Sequence, residues 1–157
     1  MRRIILTGAT GGLGRHLVRQ IVDADLGELI CIYRDKKKFE DIFSDDMPDV
    51  SEYLLDENDD FSRLVGLLDE NADEIVLILN AFSITPIKPV GRFTSEEIEK
   101  MIYGNITRNV LLLNRVTDYC KIHGLRLRVL LRHQCGSGET AKLQLSFHTK
   151  ERRTASD

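Results

Sequence analysis

The sequence predicts an α/β fold: a doubly wound parallel sheet in three layers, αβα, incomplete at its C-terminal end. Three observations predict it. Short apolar runs alternate with amphipathic helical patterns as far as residue 131. Parallel strands need helical crossovers, so this alternation places helices on both faces of one sheet. Residues 4–15, IILTGATGGLGR, run from an apolar strand into a glycine cluster that opens a helix. The chain of 157 residues is 42% hydrophobic and 30% charged, which suits one domain with a real core.

The elements follow in order. Arg2–Thr7 is a short apolar run and reads as a buried strand. From Gly12 the period changes, and Leu13, Leu17, Val18 and Ile21 share one helical face. Residues 28–33, ELICIY, form a second strand, and Arg34–Ser44 a polar helix with Phe39, Ile42 and Phe43 at helical spacing. Residues 50–55 are a weaker third strand; Phe61, Leu64, Val65 and Leu68 mark a further amphipathic helix. Residues 74–79, EIVLIL, are the clearest central strand. After a loop holding Pro86 and Pro89, Thr94 to Glu97 spell a capping box. A long helix follows with Ile98, Met101, Ile102, Ile106, Leu112, Leu113 and Val116 expected inward, and it stops at Gly124. Residues 125–131 form a fifth strand. Beyond them the apolar residues scatter without period, so 132–157 read as an irregular or disordered tail and 1–131 as the folded unit.

Composition excludes several classes. A net charge of −3 gives no general attraction for nucleic acid or anionic membranes. No apolar run approaches the roughly 18 residues of a membrane span, and no signal-peptide pattern is present. Three cysteines, Cys31, Cys120 and Cys135, lack a disulfide-framework spacing. They suit a reducing compartment, which predicts a cytoplasmic protein.

The glycines point to a phosphate. A chain that turns sharply at a strand's carboxyl end and brings its backbone up to a pyrophosphate needs residues without side chains. The helix it then enters offers unpaired N–H groups and a partial positive charge. The spacing here is not the ordinary G-x-G-x-x-G. The segment TGATGGLG resembles the short-chain dehydrogenase/reductase family. It satisfies T-G-x-x-x-G-x-G through Gly8, Gly12 and Gly14, and equally T-G-x-x-G-x-x-G through Gly8, Gly11 and Gly14. The resemblance covers residues 3–130 and implies a Rossmann-like, NAD(P)-binding domain, with Thr7, Gly8, Thr10, Gly11, Gly12, Leu13 and Gly14 around the cofactor's phosphates.

Other residues extend the resemblance. Where the family selects its cofactor, at the close of the second strand, this chain has Tyr33 and then Arg34. A guanidinium there pairs with the extra phosphate of NADP, while Asp35 leaves NAD open. Asp56 stands where the family often holds the adenine amino group. Asn80 and Ala81 match the start of its Asn-Ala-Gly, with Phe82 replacing the glycine. Asn105, in the long helix, matches the asparagine that holds a proton-relay water and is the candidate catalytic residue. The family's usual association through helices implies a homo-oligomer for a full-length form.

The family's proton donor is a different matter. Its reaction needs a Tyr-x-x-x-Lys pair on one helix, where the ammonium lowers the phenol's pKa. No tyrosine follows Tyr119. The literal match from Tyr33 to Lys37 lies at the wrong end of the cofactor. Ser146 and Lys150 have helical spacing, but a serine hydroxyl does not replace a phenol; Ser137 is a weak candidate for the substrate-orienting serine. The resemblance collapses after residue 129, as a shift of reading frame would produce; a naturally short, non-catalytic relative is the rival explanation. Two functions follow: a hydride-transferring oxidoreductase acting on an alcohol or carbonyl, represented by its cofactor-binding half and inactive as it stands, or a non-catalytic dinucleotide-binding or interaction module. Cys120, His123, His133 and Cys135 match no established metal-ligand spacing, so no metal is expected. His16 reads as a surface side chain. The basic tail lacks the interleaved aromatics of a nucleic-acid binder.

Overall fold

The computed structural model describes residues 1–45, 48–68, 71–82, 88–89, 91–134 and 140–147, the backbone alone for 133–134 and 140–147. Its strands are β1 (Arg2–Thr7), β2 (Glu28–Tyr33), β3 (Ser51–Leu54), β4 (Glu74–Leu79), β5 (Arg126–Gln134) and β6 (Thr140–Phe147). Its helices are α1 (Gly12–Asp23), α2 (Lys36–Phe43), α3 (Ser95–Ile102) and α4 (Arg108–His123). The sheet order is β3-β2-β1-β4-β5-β6. The first five strands run parallel, with Ile5 opposite both Ile30 and Leu77, and β6 runs antiparallel to β5.

The strand period of two sorts the core into two layers. Ile4, Leu6, Leu29, Cys31 and Tyr33 face α1 and α2, where they meet Val18, Ile21, Phe39 and Phe43. Ile5, Ile30, Ile32, Ile75 and Leu77 face the other way, against Leu64, Leu112, Val116 and Tyr119. Strands buried on both sides explain the continuous apolar runs at residues 4–6 and 75–79. This is the doubly wound, three-layer arrangement that the alternation predicts.

Several expectations need correction. Leu13 points outward at 41% exposure; Gly14, Val18 and Ile21 form the buried line of α1. Residues 61–68 make a short 3₁₀ helix, Ser62–Leu67, because Phe61 enters it in the left-handed conformation (φ +61°) with its backbone N–H held by Asp59. The long helix is not uniform: α3 passes through a π-helical segment, Tyr103–Thr107, before α4. Its first half has no buried residue, and Ile98, Ile102 and Ile106 are exposed rather than inward. Only from Leu112 does it reach the sheet. The third strand is shorter than expected, whereas β5 runs on to Gln134. The tail read as irregular contributes β6, which pairs along β5 from Leu127 to Gln134. The edge that the sequence leaves open at the fifth strand is therefore covered. Residues 135–139 and 148–157 lie outside the described residues, Ser137, Lys150 and Cys135 among them.

Two end signals act as written. Thr94 Oγ1 accepts from the Glu97 N–H at 3.2 Å while Glu97 Oε2 accepts from the Thr94 N–H at 2.9 Å. Gly124 closes α4 in the left-handed region (φ +67°). No described helix is long and apolar enough to cross a membrane.

Candidate functional site

In an open α/β sheet the strand order reverses where two crossovers diverge, and the crevice lies at the strands' carboxyl ends there. In this sheet that point falls between β1 and β4. β1 ends at Thr7 and β4 at Leu79, so the glycine cluster and Asn80 meet at the switch point.

Thr7 ties the two strand ends. Its buried Oγ1 accepts from the backbone N–H of Asn80 at 3.0 Å and of Ala81 at 2.9 Å. The Asn80 side-chain amide donates to the carbonyls of Thr7 (3.3 Å) and Gly8 (3.4 Å), and its oxygen accepts from Arg132 Nη1 at 3.3 Å. Asn80 and Ala81 thus brace the glycine corner from behind. Gly8 takes φ +70°, and a Cβ there would meet the Ala81 backbone at 3.0 Å. A Cβ on Gly14 would lie 2.0 Å from the Gly8 carbonyl oxygen, so α1 leaves the corner closer than any side chain allows. A Cβ on Gly11 would sit 3.2 Å from that same oxygen.

Gly12 differs. A Cβ there would meet nothing within 4 Å. The chain's own packing among the described residues does not call for glycine at this position, which opens the first turn of α1. No described side chain caps that turn and no acid occupies it, so its N–H groups are free for an anion. Thr10 stands half-buried in the turn just before the helix, and Leu13 is exposed on its first turn. The corner fits a dinucleotide's pyrophosphate: tight where the protein packs on itself, open where a ligand would lie.

The remaining candidates spread along the same edge. Arg34, just past β2, is exposed and makes no ion pair among the described residues. Asp35 serves the fold instead: its Oδ1 accepts from the Lys38 N–H at 2.9 Å and caps α2. Tyr33, expected at the cofactor-selecting position, is buried, stacks on Phe39 at 4.3 Å and donates its hydroxyl to Glu52. Burial and that carboxylate push its pKa up. Lys37 lies on α2, so the literal Tyr-x-x-x-Lys match shares no helix.

Asp56 is exposed, with its carboxylate 2.8 Å from Arg63 Nη2. The same nitrogen donates to Asp59 at 2.7 Å and to the Leu54 carbonyl at 3.2 Å. Asp59 is buried and also accepts from Tyr53 Oη and the Phe61 N–H, each at 2.7 Å. Burial alone would raise its pKa; these donors outweigh it and hold the carboxyl below the usual range. Asn105 lies half-buried in the π segment, its carbonyl accepting from Asn109 Nδ2 at 2.8 Å.

Sequence reasoning missed Arg63, Arg108, Arg132 and the π segment. Only Gly104, a poor helix former in mid-helix, hints at the last. Cys120 is buried in the core with its thiol pushed up to about 11, and the His123 ring packs tilted against Tyr119 at 4.3 Å. No group of three or more candidate metal ligands occurs among the described residues. His16 is exposed, as expected. Ser146 lies on a strand, so its helical spacing to residue 150 has no meaning there.

No family model matches the chain. A benzil reductase ((S)-benzoin forming) from Bacillus cereus is 23% identical over 137 residues, which are 83% of this chain and 55% of that protein. The crystal structure of serine dehydrogenase from Escherichia coli superposes with a TM-score of 0.65 at 21% identity, covering 80% of this chain and 58% of that one. A closed form of serine dehydrogenase complexed with NADP+ gives 0.64 at 20% identity, covering 78% and 50%. The five-stranded parallel sheet and its flanking helices are therefore the fold of the two solved structures, and the chain spans about half the length of these proteins.

Proposed function

We propose that this chain, whose fold is shared with short-chain dehydrogenase/reductase structures and whose glycine motif resembles theirs, is the dinucleotide-binding part of an oxidoreductase. The reaction would move hydride between NADP(H) and an alcohol or carbonyl compound. One observation carries the reading: at the sheet's switch point Gly12 faces open space above an uncapped helix N-terminus, while Gly8 and Gly14 are consumed by packing. Glycine at position 12 leaves that approach to the helix N-terminus clear for an anion.

When bound, the nicotinamide ring supplies or accepts the hydride. The chain's own residues do the rest. The first-turn amides of α1, at Gly12, Leu13 and Gly14, hold the pyrophosphate, with Thr10 beside them and Thr7, Asn80 and Ala81 keeping the corner rigid. Arg34 pairs with a 2′-phosphate. Asp35 is occupied as a helix cap, which supports NADP over NAD. Asp56 accepts from the adenine amino group, and Asn105 holds a relay water. A similar structure bound to NADP+ and a similar protein that reduces benzil support both halves of the reading. The buried, unpaired Cys31 and Cys120 agree with a cytoplasmic protein. The exposed Ile98, Ile102, Ile106 and Val110 agree with association of copies through the long helix.

A second reading has its own observation: the sequence holds no tyrosine with a lysine four residues on except at Tyr33, which is buried on β2 and bonded to Glu52. For the chain as it stands, binding without turnover is the expected state. Titration with NADPH, followed by its fluorescence, and then an assay of benzil reduction separate the two. Saturable binding with no turnover assigns the chain a binding role; turnover restores the enzyme; absence of binding overturns both.

A further inference from the structure

The loop after β3 and the segment carrying Asn105 are about fifty residues apart in sequence, yet the long helix grips that loop with three side chains. Tyr103 Oη donates to the Glu57 carbonyl at 3.5 Å. Arg108 Nη2 donates to the carbonyls of Glu57 at 2.5 Å and Asp56 at 3.4 Å. Arg115 Nη2 reaches the carboxylate of Asp60 at 3.3 Å and its carbonyl at 3.5 Å. The Arg108 guanidinium lies over the Tyr103 ring at 5.1 Å, and its buried Nε has no hydrogen-bond partner among the described residues.

The π segment makes this grip possible. In an α-helix, residues five apart stand roughly 140° from each other around the axis. An i→i+5 hydrogen-bonding segment returns them to one face. Tyr103 and Arg108 are five apart and span the π segment; Arg115 follows seven residues later, two α-helical turns on, and stays in line. Were the segment to revert to α-helix, the Tyr103 side would rotate away from the Arg108 side and the grip on Glu57 would be lost. Asn105, between them, would turn with it.

The loop itself is stiff. Arg63 fastens Asp56, Asp59 and the Leu54 carbonyl together, Asp59 holds Tyr53 and the Phe61 N–H, and Phe61 is locked at φ +61°. A displacement of Asp56 therefore moves the carbonyls that Arg108 holds. A ligand that fixes those carbonyls favours the π form of the helix over the α form by its differential affinity for the two.

We infer that Arg108 is a positioning residue: it couples occupation of the adenosine end, at Asp56, to the π segment that presents Asn105. This rests on the dinucleotide reading above. The probe is adenosine 2′,5′-bisphosphate, which offers the adenosine end and carries no nicotinamide to reach Asn105. Hydrogen exchange is followed by mass spectrometry over residues 103–109 of the whole chain, and binding of the probe is measured separately by calorimetry. In the wild type, saturating probe should slow exchange of these amides about tenfold. In Arg108→Gln the probe should still bind but leave their exchange unchanged, and Arg108→Lys should restore part of the protection. Tyr103→Phe, which removes one hydrogen bond from the same face, should weaken the protection without abolishing it, and it serves should Arg108→Gln fail to fold. Bound probe with no protection in the wild type, or equal protection in Arg108→Gln, overturns the coupling alone. No binding of the probe to the wild type overturns the dinucleotide reading and this inference with it.

Discussion

Gly12 and Gly14 stand two residues apart and answer to different constraints. A methyl group on Gly14 would be driven into the Gly8 carbonyl, so Gly14→Ala should cost about 1–3 kcal/mol of stability, as overpacking does, and lower the melting temperature. Gly12→Ala meets open space at a helical position and should not lower the melting temperature. It should nevertheless weaken NADPH binding about tenfold, because the methyl group occupies the ligand's approach. Calorimetric titration alongside thermal melts reads the two effects separately; a Gly12→Ala variant with wild-type affinity would remove the main support for the proposed site. Arg34→Ala tests selectivity at the same scale. It should reduce NADPH affinity by about ten- to a hundredfold and leave NADH affinity unchanged, since a charge-assisted pair to the 2′-phosphate is worth roughly 1.5–3 kcal/mol. Equal losses for both cofactors would show that Arg34 does not read the phosphate.

The loop between β3 and the 3₁₀ helix is held by a buried carboxylate, and that makes its stability depend on pH. The Asp59 carboxyl lies below its ordinary range, so the unfolded chain binds a proton more readily than the folded one. Its contribution is present at neutral pH and down to the ordinary carboxylate value near about 4, and is lost as pH falls through the native value. Asp59→Asn should therefore be less stable at pH 7, with a shallower loss of stability in acid than the wild type. Denaturant melts from pH 7 to pH 3 check this; parallel curves would mean that Asp59 is not the titrating group. The long helix shows the limits of pattern reading for an element. Its capping box and its terminal glycine act as their residue types dictate, because both signals are local. Its apolar face is a different matter. Ile98, Ile102 and Ile106 are apolar at helical spacing, yet the sheet begins to cover the helix only at Leu112. Periodicity marks a face and cannot say what covers it.

For the whole molecule, binding at the switch point should stabilise the fold, since the corner joins β1, α1 and β4 and has no counterpart in the unfolded chain. NADPH at about 100 times its dissociation constant should add about 2.7 kcal/mol, seen as a rise in melting temperature that grows with ligand concentration. A melting temperature indifferent to NADPH would argue that the corner is a packing device alone.

The fold class, the βα order and the glycine corner could be read from residues alone because each rests on neighbours in sequence: apolar period, turn residues and helix caps act over a few positions. Which glycines the fold packs against and which face open space could not, because the difference between Gly12 and Gly14 lies in the position of the Gly8 carbonyl. Nor could the fate of Asp35, drawn into capping α2, or the use of residues 140–147 as a sixth strand. Least of all could the grip of Arg108 on Glu57 be foreseen, since it joins residues 51 apart and depends on a helix register that no local spacing announces. Local chemistry wrote the elements; contacts between distant parts of the chain, which depend on how the layers pack, decided what each residue at the crevice does.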